Sequence, residues 1–568
     1  MKRWAWFLIC SLLGLVMLLC GWLVPQHLRA VDASVLRQAG RKTPALTSLG
    51  LALLNARNVG AAQLVVQAAR ASHAPGRDQL EAAVAEFLRE QPRVQVLGTP
   101  DPYLERLLGV ASRKDPAPAP LTELVLRLES RDDVMARLQA SRRPVVRELL
   151  RLRELTNTVI FPPSHSASGQ ALDAALSTTG LLLEGEYFSR GLTDRLYDTA
   201  AQANRGGNPL AIEQLLLDVM SLGQRLSWSQ LAALVQKTDD AETLRLLTHF
   251  LRKADGHLPA LYAAVLFTGK SAAVGRYLLE FSQTGLEDLS ASLAWNVGAV
   301  NELLERNQRL YRSAWRDTVV KYNPFGAFYD FAVDYAWLMP GFTLGMKWLF
   351  YVAAGFLLAM AVHHLRRVPA LARPLQVRGF HYVREFLFGL GFLVMVLLLS
   401  EPFLAQDSQK VESPFRLRLP TVDSVLATGS HAPASSFMNQ LSLLTLLLFF
   451  VLQALIYTAC LIKLAEIRRQ TVPPRIKLKL LENEDHLFDA GLYLGFVGTI
   501  ISLILVSLGV IKPSLMAAYS STSFGIIFVS IFKIFHLRPL RRKLLLEAEA
   551  VYPDPAPAVA ASTLATSS

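Results

Sequence analysis

The sequence predicts an all-α membrane protein that joins an exported helical domain to a bundle of five to six transmembrane helices. Hydrophobic residues make up 52% of the 568 residues, and the mean hydropathy is +0.30. These values are too high for a soluble protein, whereas 18% of charged residues is too high for a pure membrane bundle. Long apolar stretches therefore accompany a sizeable water-soluble part, residues 30–340, in which helical periodicity prevails.

Apolar stretches of membrane-spanning length define the predicted bundle. The first is a signal anchor or a signal peptide within residues 1–29, and the anchor is favoured because Leu28-Arg29-Ala30 is a poor cleavage site. The six stretches run over residues 5–24, 343–363, 386–404, 441–462, 489–511 and 515–535. Segments rich in Lys and Arg follow the second, fourth and sixth of these stretches, and the excess of positive charge places those segments in the cytoplasm.

Alternation of these spans predicts a multi-pass protein of the bacterial inner (cytoplasmic) membrane with both termini inside. Residues 30–340 are then periplasmic. The predicted regions are 1–29 (anchor or signal peptide), 30–160 (exported helical region), 161–340 (exported helical-repeat-like region with a juxtamembrane segment), 341–405 (transmembrane helices two and three), 406–440 (exported loop), 441–543 (the last transmembrane region) and 544–568 (disordered cytoplasmic tail).

A loose repeat runs through the second exported region. LAALVQKTDDAETLRLLTHFL (231–251) resembles LYAAVLFTGKSAAVGRYLLEF (261–281), and LSASLAWNVGAVNELLERN (289–307) is a candidate third copy. Spacings of roughly 26 to 30 residues are typical of stacked helix pairs, as in an α-solenoid, whose concave face is used for binding. An irregular helical bundle has the same periodicity and remains the alternative.

The sequence contains no complete motif of an enzyme or of a cofactor-binding site. The net charge of +12 would suit nucleic-acid binding, but much of the basic excess lies beside membrane spans. The sequence Thr268-Gly269-Lys270-Ser271 lacks the first glycine of a phosphate-binding loop, because Ala264 stands there. We therefore expect no enzyme activity, no catalytic residue, no metal, no cofactor and no nucleic-acid partner.

The last two spans form a hairpin that joins at Lys512-Pro513 and carries one threonine near the middle of each helix. Thr499 lies about 13 Å from the cytoplasmic side and Thr522 about 13 Å from the opposite side, so in a hydrocarbon core of about 30 Å their hydroxyls differ in depth by only a few ångströms. Such hydroxyls are candidates for a cation or proton path, although small residues are also ordinary packing residues between membrane helices. The candidate pore-lining residues are Thr499, Thr522, Ser502 and Ser521, and the candidate helix-packing residues are Gly495, Gly498 and Gly525.

Two motifs in this hairpin resemble those of the MotA/TolQ/ExbB proton-channel family. LGFVGTI (494–500) is similar to the family's LGLLGTV-type motif, and SSTSFGIIFVS (520–530) is similar to its ATAxGLxVAIP segment. The resemblance covers about 100 residues of the C-terminal membrane region. It implies that Thr499 and Thr522 line a pore in a homo-oligomer.

The sequence also departs from this family. The loop between 462 and 489 is much shorter than the family's cytoplasmic loop, and Ala517 stands where some members carry an acidic residue. The core of neither helix in the hairpin contains a carboxylate, and an ionisable residue is the usual mark of a proton path. The resemblance implies that a partner with a single membrane helix supplies the acidic residue.

We therefore expect an inner-membrane subunit that couples ion flow to a process in the cell envelope. The alternative is a non-conducting membrane scaffold or receptor with a periplasmic helical-repeat domain that binds a ligand.

Overall fold

The computed structural model describes residues 2–110, 117–166, 169–253, 256–322, 325–365, 380–403, 440–507 and 515–551. It is 79% helical with almost no strands, which confirms the predicted helical class. The chain divides into two compact units. We name residues 30–315 the helical unit, and residues 1–29 together with those from 316 to the C-terminus the membrane unit.

The helical unit follows α1 (Lys2–Leu23), which belongs to the membrane unit. Its elements are β1 (Ala30–Asp32), α2 (Ala33–Gly40), α3 (Leu46–Asn55), α4 (Val59–Ser72), α5 (Arg77–Glu90), α6 (Val94–Leu97), α7 (Pro102–Leu107), α8 (Leu121–Val125), α9 (Leu128–Gln139), α10 (Pro144–Arg151), α11 (Gln170–Glu184), α12 (Arg190–Asn204), α13 (Leu210–Gly223), α14 (Trp228–Gln236), α15 (Ala241–Lys253), α16 (Leu258–Thr268), α17 (Ser271–Ser292), α18 (Asn296–Arg306) and β2 (Arg309–Tyr311). Short 3-10 turns follow α10 and α17.

The first and last elements of this unit meet. Strands β1 and β2 pair in parallel, with Val31 opposite Leu310, and α2 packs against α18. Gly40 is required at this contact, because a Cβ there would overlap the carbonyl oxygen of Trp295. Each of the three similar segments forms two helices joined by a short turn or a 3-10 segment. They are α14 with α15, α16 with the first part of α17, and the end of α17 with α18.

The membrane unit contains α1 and the C-terminal helices. After α19 (Ala314–Val319), which straddles the boundary, its elements are α20 (Phe325–Leu338), α21 (Pro340–Leu365), α22 (Phe380–Ser400), α23 (Gln440–Arg469), α24 (Pro474–Asn483), α25 (Asp485–Phe488), α26 (Ala490–Ser507), α27 (Leu515–Phe532), a π-helical segment (Lys533–Leu537) and α28 (Arg538–Val551). Packing runs in the order α1, α21, α22, α23, α27 and α26.

Five described helices are long and apolar enough to cross a membrane, which indicates a multi-pass membrane protein. They are Trp4–Leu23, Pro340–His364, Tyr382–Ser400, Leu444–Arg469 and Tyr519–Glu549. The predicted span 489–511 corresponds to α26, whose apolar stretch Ala490–Ile501 is shorter. The rest of that span, the turn at Lys512-Pro513 and residues 406–439 of the predicted exported loop lie outside the described residues.

The start of the predicted disordered tail is helical. Residues 544–551 continue α28, and Leu544 and Ala548 are buried. Leu544 joins an apolar cluster with Leu481, Phe488 and Phe532. Spacing of four residues between Leu540, Leu544 and Ala548 aligns these side chains on one helical face, so burial of that face stabilises the helix.

Candidate functional site

The candidate site lies where α23 packs against the hairpin of α26 and α27. Gln453 of α23 is 1% exposed, and its amide Nε2 donates a hydrogen bond to the carbonyl oxygen of Gly491 at 2.9 Å. Its Oε1 atom has no hydrogen-bond partner among the described residues. A buried amide with one unsatisfied acceptor can accept a hydrogen bond from another group at this depth.

Three glycines provide the space that the Gln453 amide occupies. A Cβ at Gly491 would lie 2.9 Å from Gln453 Oε1, and a Cβ at Gly495 or Gly525 would lie 3.4 Å from Nε2. The same glycines allow the two helices to approach closely. A Cβ at Gly495 would lie 2.7 Å from the carbonyl oxygen of Ser521, and a Cβ at Gly525 would lie 2.7 Å from that of Gly491.

The structure brings Thr499 and Thr522 together. Their Oγ1 atoms are 2.6 Å apart, and each lies 3.2 Å from the carbonyl oxygen of Gly495. One hydroxyl can donate to the carbonyl while the other donates to the first hydroxyl, so the pair forms a short hydrogen-bonded chain. We name Gln453, Thr499 and Thr522 the hydroxyl centre.

The other predicted site residues whose side chains are described lie at the contact between α26 and α27. Thr499 and Ser521 are buried, Thr522 is half-buried, and Gly498 faces the Ser521 hydroxyl. The side chain of Ser502 lies outside the described ones. The described hydroxyls thus line the contact between α26 and α27, whereas the exposed side of α26 is apolar and includes Phe496, 62% exposed.

Carboxylates lie only beyond the ends of the hairpin helices. The sequences of α26 and α27 contain neither Asp nor Glu. Asp489, which immediately precedes α26, pairs with Lys533 at 2.6 Å. Asp485 lies 4.0 Å from Arg541. Each of these two carboxylates thus has a neighbour of opposite charge, whereas the hydroxyl centre itself is neutral.

A second polar centre, which the sequence analysis missed, joins the ends of three membrane helices. Lys347 of α21 is 2% exposed, and its Nζ donates to Glu401 Oε1 at 2.9 Å and to the carbonyl oxygen of Gln26 at 2.7 Å. Glu401 Oε2 accepts from the backbone N–H of Leu28 at 2.9 Å. We name Lys347, Glu401 and His27 the charged centre.

Electrostatics keep Glu401 ionised at neutral pH. Burial raises the pKa of this carboxyl, but the hydrogen bond with His27 and the charge of Lys347 outweigh burial and lower the pKa to about 2. Burial, followed by the charge of Lys347, lowers the pKa of His27 to about 4. The available signal in the sequence was Lys347, the only Lys or Arg within residues 340–365.

The described residues contain no cluster of three or more His, Cys, Asp or Glu side chains that could hold a metal ion. Comparison with known proteins adds no relative, because no family model, no curated protein and no solved structure matches the chain.

Proposed function

We propose that the chain is an inner-membrane subunit of an ion-driven complex, of the kind that the MotA/TolQ/ExbB-like motifs imply. The observation that supports this proposal is the hydrogen-bonded pair of Thr499 and Thr522, 2.6 Å apart between two closely packed helices. With Gln453 buried beside them, these hydroxyls form a polar site between helices that contain no charged residue. Polar groups at this depth are costly unless they have partners, so a polar path is a physical reason for placing them there.

The proposed role of the hydroxyls is to relay a proton or to coordinate a cation. A threonine hydroxyl both donates and accepts a hydrogen bond, but it holds no charge at neutral pH. A charge carrier is therefore needed, and we assign it to an acidic residue of a partner with a single membrane helix. Thr522 is the half-buried member of the pair, so it is the hydroxyl that would donate to that carboxylate.

Several copies of the chain would surround the partner helix in this proposal. The exposed apolar side of α26, with Phe496 and Ile500, would contact lipid, a neighbouring copy or the partner. Residues 30–340 would lie in the periplasm and engage an envelope component, with both termini in the cytoplasm.

Proton flux through the purified complex tests this function. We expect Thr499→Val and Thr522→Val, which keep the side-chain shape and remove the hydroxyl, to reduce flux in proteoliposomes at least tenfold. The complex must be purified from its native membranes so that the partner is retained. Thr458→Val is the matched control, because the Thr458 hydroxyl is also buried in the membrane unit but bonds to Ala454 of its own helix at 2.7 Å.

Unchanged flux in both hairpin variants, at normal membrane level, would refute the proposed role. The second candidate, a non-conducting scaffold or receptor, is favoured by the hydrogen bonds that already join the two hydroxyls to each other and to the Gly495 carbonyl. It predicts that the wild-type complex carries no flux and that no single-span acidic partner co-purifies.

A further inference from the structure

A cavity of about 340 Å³ opens among four helices of the helical unit. It is lined from α12, α13, α15 and α17, and two of these helices present one face each. Ala211, Gln214, Leu215 and Asp218 follow helical spacing along α13. The residues of α15 that line the cavity show the same spacing, with Arg245 and His249 four positions apart. One face of α13 and one face of α15 therefore form walls of the cavity.

The buried wall of the cavity carries unsatisfied polar atoms. Asp218 is 8% exposed, and its Oδ2 has no hydrogen-bond partner among the described residues. The same holds for Nε2 of His249. A buried carboxylate oxygen without a donor destabilises the protein, and a bound ligand that donates a hydrogen bond would remove that cost.

Charge of both signs surrounds this wall. Arg195 and Arg245 bring two guanidinium groups to the lining, and Glu242 lies beside them on α15. Burial raises the pKa of Asp218 to about 6, while the charges of Arg245 and Arg252 oppose that rise. The carboxyl is therefore largely ionised at neutral pH. Asp218 would repel a simple anion in the cavity, and the two arginines would repel a simple cation. A ligand with one charge of each sign avoids both repulsions.

We propose that this cavity binds a zwitterion between an amino acid and a dipeptide in size. The ammonium group donates to Asp218 Oδ2, the carboxylate pairs with Arg195 or Arg245, and Leu215 and Leu246 contact the apolar part. The volume lies at the lower end of the range for small-molecule sites, roughly 300 to 1000 Å³. This site is independent of ion conduction by the membrane unit.

Hydrogen–deuterium exchange of the full chain in nanodiscs tests the proposal. The probes are the common L-amino acids and the dipeptide Ala-Leu, each at millimolar concentration. We expect at least one probe to slow exchange in α13 and α15 and to leave α5, which does not line the cavity, unchanged. The N-acetylated and C-amidated forms of that probe should each bind at least about tenfold more weakly than the free form, because each lacks one charged hydrogen-bonding group.

Variants separate a binding role from a structural one. Asp218→Asn should abolish protection by the probe, because the carboxylate that binds the ammonium group is gone. Without any probe, the same variant should slow exchange of α13, because a buried ionised carboxyl no longer destabilises that helix. The double variant Arg195→Gln/Arg245→Gln should weaken binding at least tenfold, because neither guanidinium is left to pair with the carboxylate. Asp194→Asn, an exposed substitution on α12 outside the lining, should change neither property.

Three results would overturn the proposal. They are the absence of protection by every probe, equal binding of the blocked and free forms, and wild-type binding by Asp218→Asn. Equal binding of the N-acetylated form would identify the ligand as an anion.

Discussion

The charged centre and the hydroxyl centre both lie in the membrane unit, but they satisfy their polar groups differently. In the charged centre, Lys347 and Glu401 neutralise each other and bond to backbone groups at residues 26 and 28. In the hydroxyl centre, no group is charged, and Gln453 Oε1 keeps a free acceptor among the described residues. The ion pair therefore links three helix ends, whereas a neutral site with an unused hydrogen-bond acceptor can form hydrogen bonds with a new group.

This difference separates structure from function within one unit. Substitutions in the charged centre should affect folding first, because removal of one ion leaves the other buried and uncompensated. Substitutions in the hydroxyl centre should affect stability little and flux strongly.

Glu401→Gln should lower the free energy of unfolding by about 3–5 kcal/mol, because Lys347 then remains buried without its counter-ion. Unfolding of the full chain in an SDS titration measures this change. The double variant Lys347→Met/Glu401→Gln should lose much less, since no charge is left unpaired. Equal losses in the single and double variants would show that the ion pair is not what stabilises these helix ends.

Acidification should weaken the charged centre and spare the hydroxyl centre. The pKa of His27 is lowered to about 4 from 6.5, so the unfolded chain binds a proton in this window that the folded chain does not. Stability therefore falls as the pH is lowered from about 6.5 to about 4, by about 3 kcal/mol at most. Melting temperatures across this range should fall less in His27→Gln than in the wild type. The same slope in both proteins would exclude His27 as the cause.

Gly495→Ala should destabilise the hairpin by about 1–3 kcal/mol, because the added Cβ would lie 2.7 Å from the carbonyl oxygen of Ser521. The helices must then separate, and the distance between Thr499 and Thr522 must increase. Gly345→Ala is the control, since a Cβ at Gly345 meets nothing within 4 Å. An SDS titration that gives the same small change for both variants would show that α26 and α27 do not need this close approach.

Thr499→Val should cost the least stability, about 1 kcal/mol, because one hydroxyl–hydroxyl hydrogen bond is lost and the side-chain shape is kept. The same SDS titration measures it. A loss as large as that of Glu401→Gln would place the hydroxyl centre among the structural contacts and remove the contrast between the two centres.

Sequence patterns predicted the helical class, most spans and the facing of Thr499 and Thr522, because hydropathy and depth along a helix follow directly from residue order. They did not predict the charged centre. Lys347 and Glu401 are separated by 54 positions, and their contact depends on how α21 and α22 pack. The unsatisfied acceptor of Gln453 likewise depends on three glycines from two other helices.

The cavity at Asp218 shows the same limit. Helical periodicity indicates that Asp218 and His249 belong to amphipathic helices, but only tertiary packing determines that both lie on one cavity with Arg195 and Arg245. Similarly, composition predicts a disordered tail over residues 544–568, whereas the burial of Leu544 shows that residues 544–551 pack as a helix.

The most direct test of the central claim compares Thr522→Ser with Thr522→Val in the purified complex, with proton flux and melting temperature measured on the same samples. Serine keeps the hydroxyl that bonds to Thr499 and Gly495, and valine keeps only the shape. If the hydroxyl lies on an ion path, Thr522→Ser should retain flux within about threefold, and Thr522→Val should lose at least tenfold while its melting temperature stays close to that of the wild type. Equal flux in the two variants would contradict the account.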